Sequence, residues 1–399
     1  ITAGTQTVNP TDGEIVGSGN NPDITISDAS VLEGGNLVFN VSLSEGVCAT
    51  DFSVNYSIND GTATTANSDY AVPATDSDAA PNDGVLTLSG GATSGTITVA
   101  STADATMEID ENMTVVLDTP SHGALTDNTG VGVIENDDDN GYIWTGDAGD
   151  SNFSNGANWS NGTLAPGPGD IVLFDDICSD VPANCDVETT ASVSITGIMF
   201  NNDYPGTFTQ NSGHQISTIN RWLQDGGTFV GGDSNVTVQS SFQLLNGSFT
   251  STSATLAVDY GTNRTHIFGN TANFTHNNGK LRFYTNNSTS DNVITLNRNI
   301  DLYDLEFIRT SSGGSYTHWN FNSTGVFNVT NDLYYTRTLA GGLSLTGSSI
   351  EVKGDIFAGG GYHSGAPKIT TVVKLNGTAD QYYNYTSGVF PRLNIEKVS

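Results

Sequence analysis

No lysine or arginine occurs before Arg221 in this chain of 399 residues. The first half must therefore fold without cationic side chains to pair its carboxylates. Over the whole chain, 43 Asp and Glu stand against 12 Lys and Arg, a formal net charge of −31. Crowded like charges oppose a compact state, so such a fold needs an offset. Bound divalent cations, high ionic strength or spacing of the carboxylates each supply one, and adaptation to a salty medium stays open beside a bound metal. The same charge argues against nucleic acid and anionic membranes as partners, because phosphate is held by the cations missing here.

The pattern along the chain is that of short strands. Residues 1–22 are rich in Gly, Thr and Asn with little apolar periodicity, and read as an arm or linker. Strand signals then follow in series: ITIS at 24–27, LVFNVSL at 37–43, FSVNYSI at 52–58, GVLTL at 84–88, TITVA at 96–100, MTVVL at 113–117 and VGVI at 131–134. Apolar residues alternate with Ser, Thr or Asn, as in strands with one buried face, and seven of them predict a β-sandwich. The acidic residues gather between the strands, in VLEGG, NDGTATTANSDY, STADATMEIDENM and ENDDDN. A hard cation such as Ca²⁺ takes six to eight oxygen ligands, and loops meeting at one sandwich end can supply them together.

The order VLEGG, then NYSINDGTA with SDY, then ADATMEIDENM, then VIENDDD resembles the Calx-β domain, a calcium-binding sandwich, over about residues 23–139. The resemblance implies Ca²⁺ ligands at Glu33, Asp69, Asp104, Glu108, Glu111, Asp137 and Asp138. Two positions depart from the family pattern, Ala103 and Asn136, each standing where an Asp is common. These departures imply fewer ions or weaker binding. The stretch PATDSDAAPNDG brings Asp76, Asp78 and Asp83, read as a solvated loop or as a separate ion site.

After Asn140 the texture changes. Residues 140–189 carry Trp144 and Trp159, Gly-Pro turns and the strand IVLF, and read as a junction or a cap over the open end of a solenoid. The two rings could instead form a sugar-stacking platform. Cys178 and Cys185 frame a short loop that a disulfide can close, whereas Cys48 reads as a buried thiol. From 190 to 399 a motif recurs at GTFTQNSG (206), GTFVGGDS (227), GSFTSTSA (247), ANFTHNNG (272) and GVFNVTND (325), with first steps of 21, 20 and 25 residues. Periods of this size mark stacked coils. One Phe per coil over its neighbours predicts a parallel β-helix, and the end segment VVKLNGTADQYYNYTSGVFPRLNIEK resembles the repeats of bacterial surface β-helices. A second β-sandwich is the competing fold.

The chain is therefore expected to be all-β, an N-terminal Calx-β-type sandwich followed by a parallel β-helix. No G-x-S-x-G, H-E-x-x-H or P-loop is present, and the six His are scattered. No apolar run approaches the roughly 18 residues a membrane span needs. The start at Ile1 and the strand-like end LNIEKVS predict a segment of a longer protein. The expectation is a secreted, cell-surface structural or adhesive protein, an adhesin segment or filament subunit. Its partners would be other copies, other surface proteins or glycans. The alternative is a polysaccharide lyase or hydrolase using Asp301, Asp304, Glu306 and Arg309, with Lys280 and Arg282 nearby in the chain.

Overall fold

The computed structural model describes residues 7–8, 15–16, 22–44, 51–78, 82–136, 138, 141–180, 184–258, 264–285, 290–310, 316–337, 342–346, 349–359, 371–385 and 392–396. Cys48 and most of the 1–22 arm fall outside them. The described part of the arm is an antiparallel pair, Thr7–Val8 with Ile15–Val16. No α-helix occurs among the described residues, and the chain divides into two compact units, Ile1–Asn140 and Gly141–Ser399.

The first unit is a sandwich of two five-stranded sheets. One runs Ala29–Leu32, Thr129–Glu135, Glu111–Asp118, Phe52–Asp60 and Val85–Leu88; the other runs Ala124–Asp127, Asp23–Ile26, Asn36–Leu43, Ser94–Ala100 and Thr75–Asp76. Strict alternation drives the packing. In Asn36–Leu43 every second residue is buried, so Leu37, Phe39, Val41 and Leu43 face Phe52, Val54, Met113 and Val115 across the core. Three edge strands escape the sequence pattern. Ala29–Leu32 and Ala124–Asp127 bury no residue fully and Thr75–Asp76 is only two residues long, so none carries an apolar alternation to be read.

The second unit is a parallel β-solenoid with three strand columns. One column is the sequence motif itself: Thr207–Thr209, Thr228–Val230, Ser248–Thr250 and Asn273–Thr275 pair in register, placing Phe208, Phe229, Phe249 and Phe274 one above another. Their ring centroids lie 5.8, 4.8 and 5.7 Å apart along the stack. The motif is interrupted at the next coil, where Ile300–Leu302 takes the position and pairs with Phe327–Val329. The inward site requires an apolar residue of suitable volume, and Ile300 meets that requirement without the Gly-x-Phe signature. Gly247 shows why glycine leads the motif: it sits at φ +72°, and a Cβ there would lie 2.5 Å from the carbonyl oxygens of Gly226 and Gly227.

Parallel pairing starts upstream of residue 190, with Tyr142–Ile143 on Ile171–Phe174 and that strand on Val193–Phe200. Trp144 and Trp159 are fully buried there, edge to face at 5.0 Å, and pack on Phe174. Their indole N–H groups donate to Asn184 O at 2.7 Å and Phe153 O at 2.9 Å. Rings with no exposed face serve as core, so the sugar-platform reading of these two residues falls. Cys178 and Cys185 form a disulfide.

Candidate metal centre

Six of the seven acidic residues singled out in the sequence meet at one place in the first unit. Glu33 follows the edge strand Ala29–Leu32, Asp69 lies in the turn after Phe52–Asp60, Asp104 and Glu108 lie between Ser94–Ala100 and Glu111–Asp118, Glu111 opens that strand, and Asp138 follows Thr129–Glu135. They form two trios, Glu33 with Asp104 and Asp138, and Asp69 with Glu108 and Glu111, each with one oxygen per residue within 4.8 Å of the others. Asp137 lies outside the described residues. Glu33, Asp69, Asp104, Glu108 and Glu111 line one cavity of about 10 Å³, room for a single water-sized occupant.

The electrostatics of the cavity are those of an uncompensated anion cluster. Burial, then the charges of Asp104, Asp138 and Glu108, push Glu33 up to about 7. Burial, then Asp69, Glu108 and Glu33, push Glu111 up to about 9. Each carboxyl therefore holds its proton more tightly than a free side chain does, the response of crowded carboxylates without a cation. Glu33 Oε2 is also buried with no hydrogen-bond partner among the described residues. A hard cation would relieve both conditions, and the donor set, all carboxylate oxygen, suits Ca²⁺ rather than a softer metal.

Neutral residues hold the acidic ones in place. Asn136 accepts the Glu108 N–H at 2.9 Å, donates its amide to Asp138 O at 3.1 Å, and gives its own backbone N–H to Asp110 at 3.0 Å. Its side chain thus ties together the two loops that carry ligands of different trios. Sequence reasoning treated Asn136 as a lost ligand and missed this role; the signal available was an Asn inside an otherwise acidic run. Asp69 accepts the Thr64 N–H at 2.6 Å, and Ser68 before it takes φ +75°. Ala103, the other departure, packs under Gly34, where an added Cβ would lie 2.8 Å from Ala103 Cβ.

Acidic residues outside the trios have other work. Asp60 braces the loop by accepting from Tyr70 OH and the Thr65 N–H. Asp76 accepts from Tyr56 OH, Asp78 from the Thr87 N–H and Asp83 from the Val85 N–H, so the PATDSDAAPNDG carboxylates fasten a hairpin and do not converge on an ion. In the solenoid a third trio, Asp175, Asp176 and Asp203, lies close together, but two of its members are exposed and Asp175 already accepts from Asn201 and the Asp176 N–H.

A two-sheet sandwich with acidic loops gathered at one end defines a class, and a family match places the domain in it. Residues 26–138 match the Calx-beta domain family. Among solved structures, the calcium binding domain CBD12 of CALX1.1 is 23% identical over 30% of this chain and 48% of its own length, with a TM-score of 0.26. The apo-form Calx CBD1 domain is 25% identical over 29% of this chain and 99% of its own length, TM-score 0.24. CBD12 from CALX1.2 is 25% identical over 33% of this chain and 49% of its own length, TM-score 0.26. The chain thus spans about half of the two CBD12 structures. A search of curated proteins found no match.

Proposed function

We propose that this chain is a calcium-stabilised extracellular protein with a structural or adhesive role, a segment of a surface adhesin or a subunit of an extracellular filament. The observation that carries the calcium part is the pair of carboxylate trios, with Glu33 and Glu111 pushed up to about 7 and 9 and no Lys or Arg before Arg221. Glu33, Asp69, Asp104, Glu108, Glu111 and Asp138 would hold the ion or ions, with backbone carbonyls and water completing six to eight ligands. The Calx-beta match supports that reading. The Cys178–Cys185 disulfide supports an oxidising compartment outside the cytosol. No helix among the described residues is long and apolar enough to cross a membrane.

The structural role is supported by what the solenoid does with its charged residues. Glu306, only 8% exposed, is held by Arg282 at 2.5 Å and Lys280 at 3.7 Å, a group spent in ion pairs rather than poised as a general acid. Asp304 accepts from Asn331 at 2.8 Å, Asp301 from Asn328 at 2.8 Å, and Arg309 is wholly buried. Calorimetry of the intact chain in calcium and in excess EDTA tests the proposal. At calcium one hundred times the dissociation constant, binding adds about 2.7 kcal/mol to the sandwich and raises its melting temperature by roughly 10 °C. Identical melts in the two buffers would remove calcium from the account. Electron microscopy with calcium then divides the two roles, ordered fibres favouring a filament subunit and discrete particles an adhesin segment.

A further inference from the structure

The solenoid carries a cleft of about 300 Å³ on the column that runs from Ile300–Leu302 through Phe327–Val329 and Ser349–Val352 to Val372–Leu375. Its size is at the lower end of small-ligand sites, but its walls are unlike an apolar pocket. Asp301, Asn328 and Glu351 stand at the same register position on successive coils, and Lys353, Asn376 and His276 close the sides. Val329 is the one aliphatic residue in the lining.

The lining excludes several ligand classes in turn. An apolar ligand would strip water from these polar groups and return no hydrogen bonds. An anion would meet the carboxylates of Asp301 and Glu351 with Lys353 as the cleft's one cationic lining residue. A metal ion needs its ligands converging at 2.3–2.6 Å, whereas Asp301 and Glu351 sit two coils apart, roughly 9–10 Å along the stack at the usual strand spacing. They belong to none of the close acidic groups found elsewhere among the described residues.

The mixed lining suits a neutral ligand rich in groups that both donate and accept. Asp301 already accepts from Asn328, and Glu351 from Lys374 and Asn376; their remaining lone pairs can accept from hydroxyls, while Lys353 and the second N–H of each amide can donate to them. The amide oxygen of Asn376 is buried without a hydrogen-bond partner among the described residues, an acceptor whose desolvation is so far uncompensated. His276 sits 5.9 Å from the Tyr303 ring, giving one end of the cleft an aromatic edge against which C–H groups can pack. We propose that this cleft binds a neutral saccharide, a linear one lying along the solenoid axis across the Asp301–Asn328–Glu351 ladder. The proposal goes beyond the calcium reading and does not depend on it, since the cleft lies in the other unit.

The test is titration calorimetry of the intact chain with cellohexaose, xylohexaose and maltohexaose, with hexagalacturonate as the anionic comparator. Saturable binding of at least one neutral sugar, and none of the anionic one, is expected. Glu351→Gln and Lys353→Ala should each weaken it by about tenfold, the cost of one hydrogen bond to a charged group, with an unchanged solenoid melt in Lys353→Ala. Lys353 is exposed, so its truncation decides the matter even if Glu351→Gln disturbs the ladder. The same affinity in EDTA separates this site from the acidic cavity of the sandwich. No saturable binding by any of the three neutral sugars, equal binding of hexagalacturonate, or wild-type affinity in Lys353→Ala would overturn the proposal.

Discussion

In the sandwich, Glu33 and Glu111 are surrounded by other carboxylates; in the solenoid, Glu306 lies between Arg282 and Lys280, and Glu351 accepts from Lys374 at 3.3 Å and Asn376 at 2.9 Å. The two units are unequally charged, 22 acidic residues and no Lys or Arg in Ile1–Asn140 against 21 acidic and 12 basic residues in Gly141–Ser399, and they manage that charge differently. The solenoid supplies its own countercharge at selected positions. The sandwich has no Lys or Arg to do so, and gathers its acids where an outside cation can reach several at once. On the proposed calcium reading, the stability of one unit is tied to solution composition through the cavity, and that of the other to its stacked core.

The largest expected effect should fall on one unit alone. Phe229→Ala removes the middle of the ring stack, between Phe208 and Phe249, and should lower solenoid stability by about 3–5 kcal/mol. Calorimetry should show the sandwich transition, and its calcium dependence, unmoved. Movement of both would mean the units are not energetically separate. Next in size, Asn136→Ala leaves every carboxylate in place but unties the loops at Glu108 and Asp138. Calcium affinity read by titration should fall roughly 10- to 100-fold, as when a group that positions metal ligands is lost.

The pH dependences should have opposite signs. Metal-free, the sandwich holds protons on Glu33 up to about 7 and on Glu111 up to about 9, whereas the unfolded carboxyls release theirs near 4.5. The folded state binds more protons across that window, so sandwich stability should fall as pH rises from 4.5 to 9. In the solenoid, His266 is wholly buried and lowered from 6.5 to about 3, chiefly by burial and then by Arg264. Here the unfolded state binds the extra proton, so stability should fall as pH drops from 6.5 to 3, by up to about 1.4 kcal/mol per pH unit. Asp225, raised by burial to about 6, offsets part of this between 3.8 and 6. His266→Gln should flatten the solenoid's acid limb; urea titrations across pH check both slopes.

The smallest effect compares single charges. Arg282→Ala leaves Glu306 with Lys280 at 3.7 Å and should cost the solenoid about 1 kcal/mol. Glu111→Gln should act with the opposite sign on the metal-free sandwich at neutral pH, stabilising it because a carboxyl that stays protonated up to about 9 no longer has to take up a proton on folding. Paired urea curves in EDTA measure both, and a destabilised Glu111→Gln would break the contrast.

Much of this arrangement is legible in the residues because charge and periodicity write directly into sequence. The seven strands with alternating apolar residues stand where the pattern puts them, and the acidic loops betray themselves through the missing Lys and Arg. What was hidden depended on neighbours. Ala29–Leu32 is a strand through its parallel pairing with Thr129–Glu135, far along the chain. Ile300 fills a position where the eye seeks Phe, since the core selects volume rather than a motif. Asn136 looks like a lost ligand because its function is in two backbone contacts that no spacing rule records. The cleft of Asp301, Asn328 and Glu351 is invisible for a related reason: residues more than twenty apart become adjacent only when the coils stack.

That stacking also bears on how the molecule would behave under load. Each coil hydrogen-bonds to the one before it and the one after, in the register seen from Phe208 to Phe274. Tension applied at one end of the solenoid peels a single coil at a time and pays out slack in instalments of about 20 to 25 residues, the repeat length read from the motif, while the coils beyond keep their shape. The sandwich, whose early strand Ala29–Leu32 is clasped by the late strand Thr129–Glu135, offers no such gradual release and gives way as a block. If the chain bears load as proposed, the two in series would act as a stepwise spring joined to a brittle link, and calcium would set the force at which that link breaks.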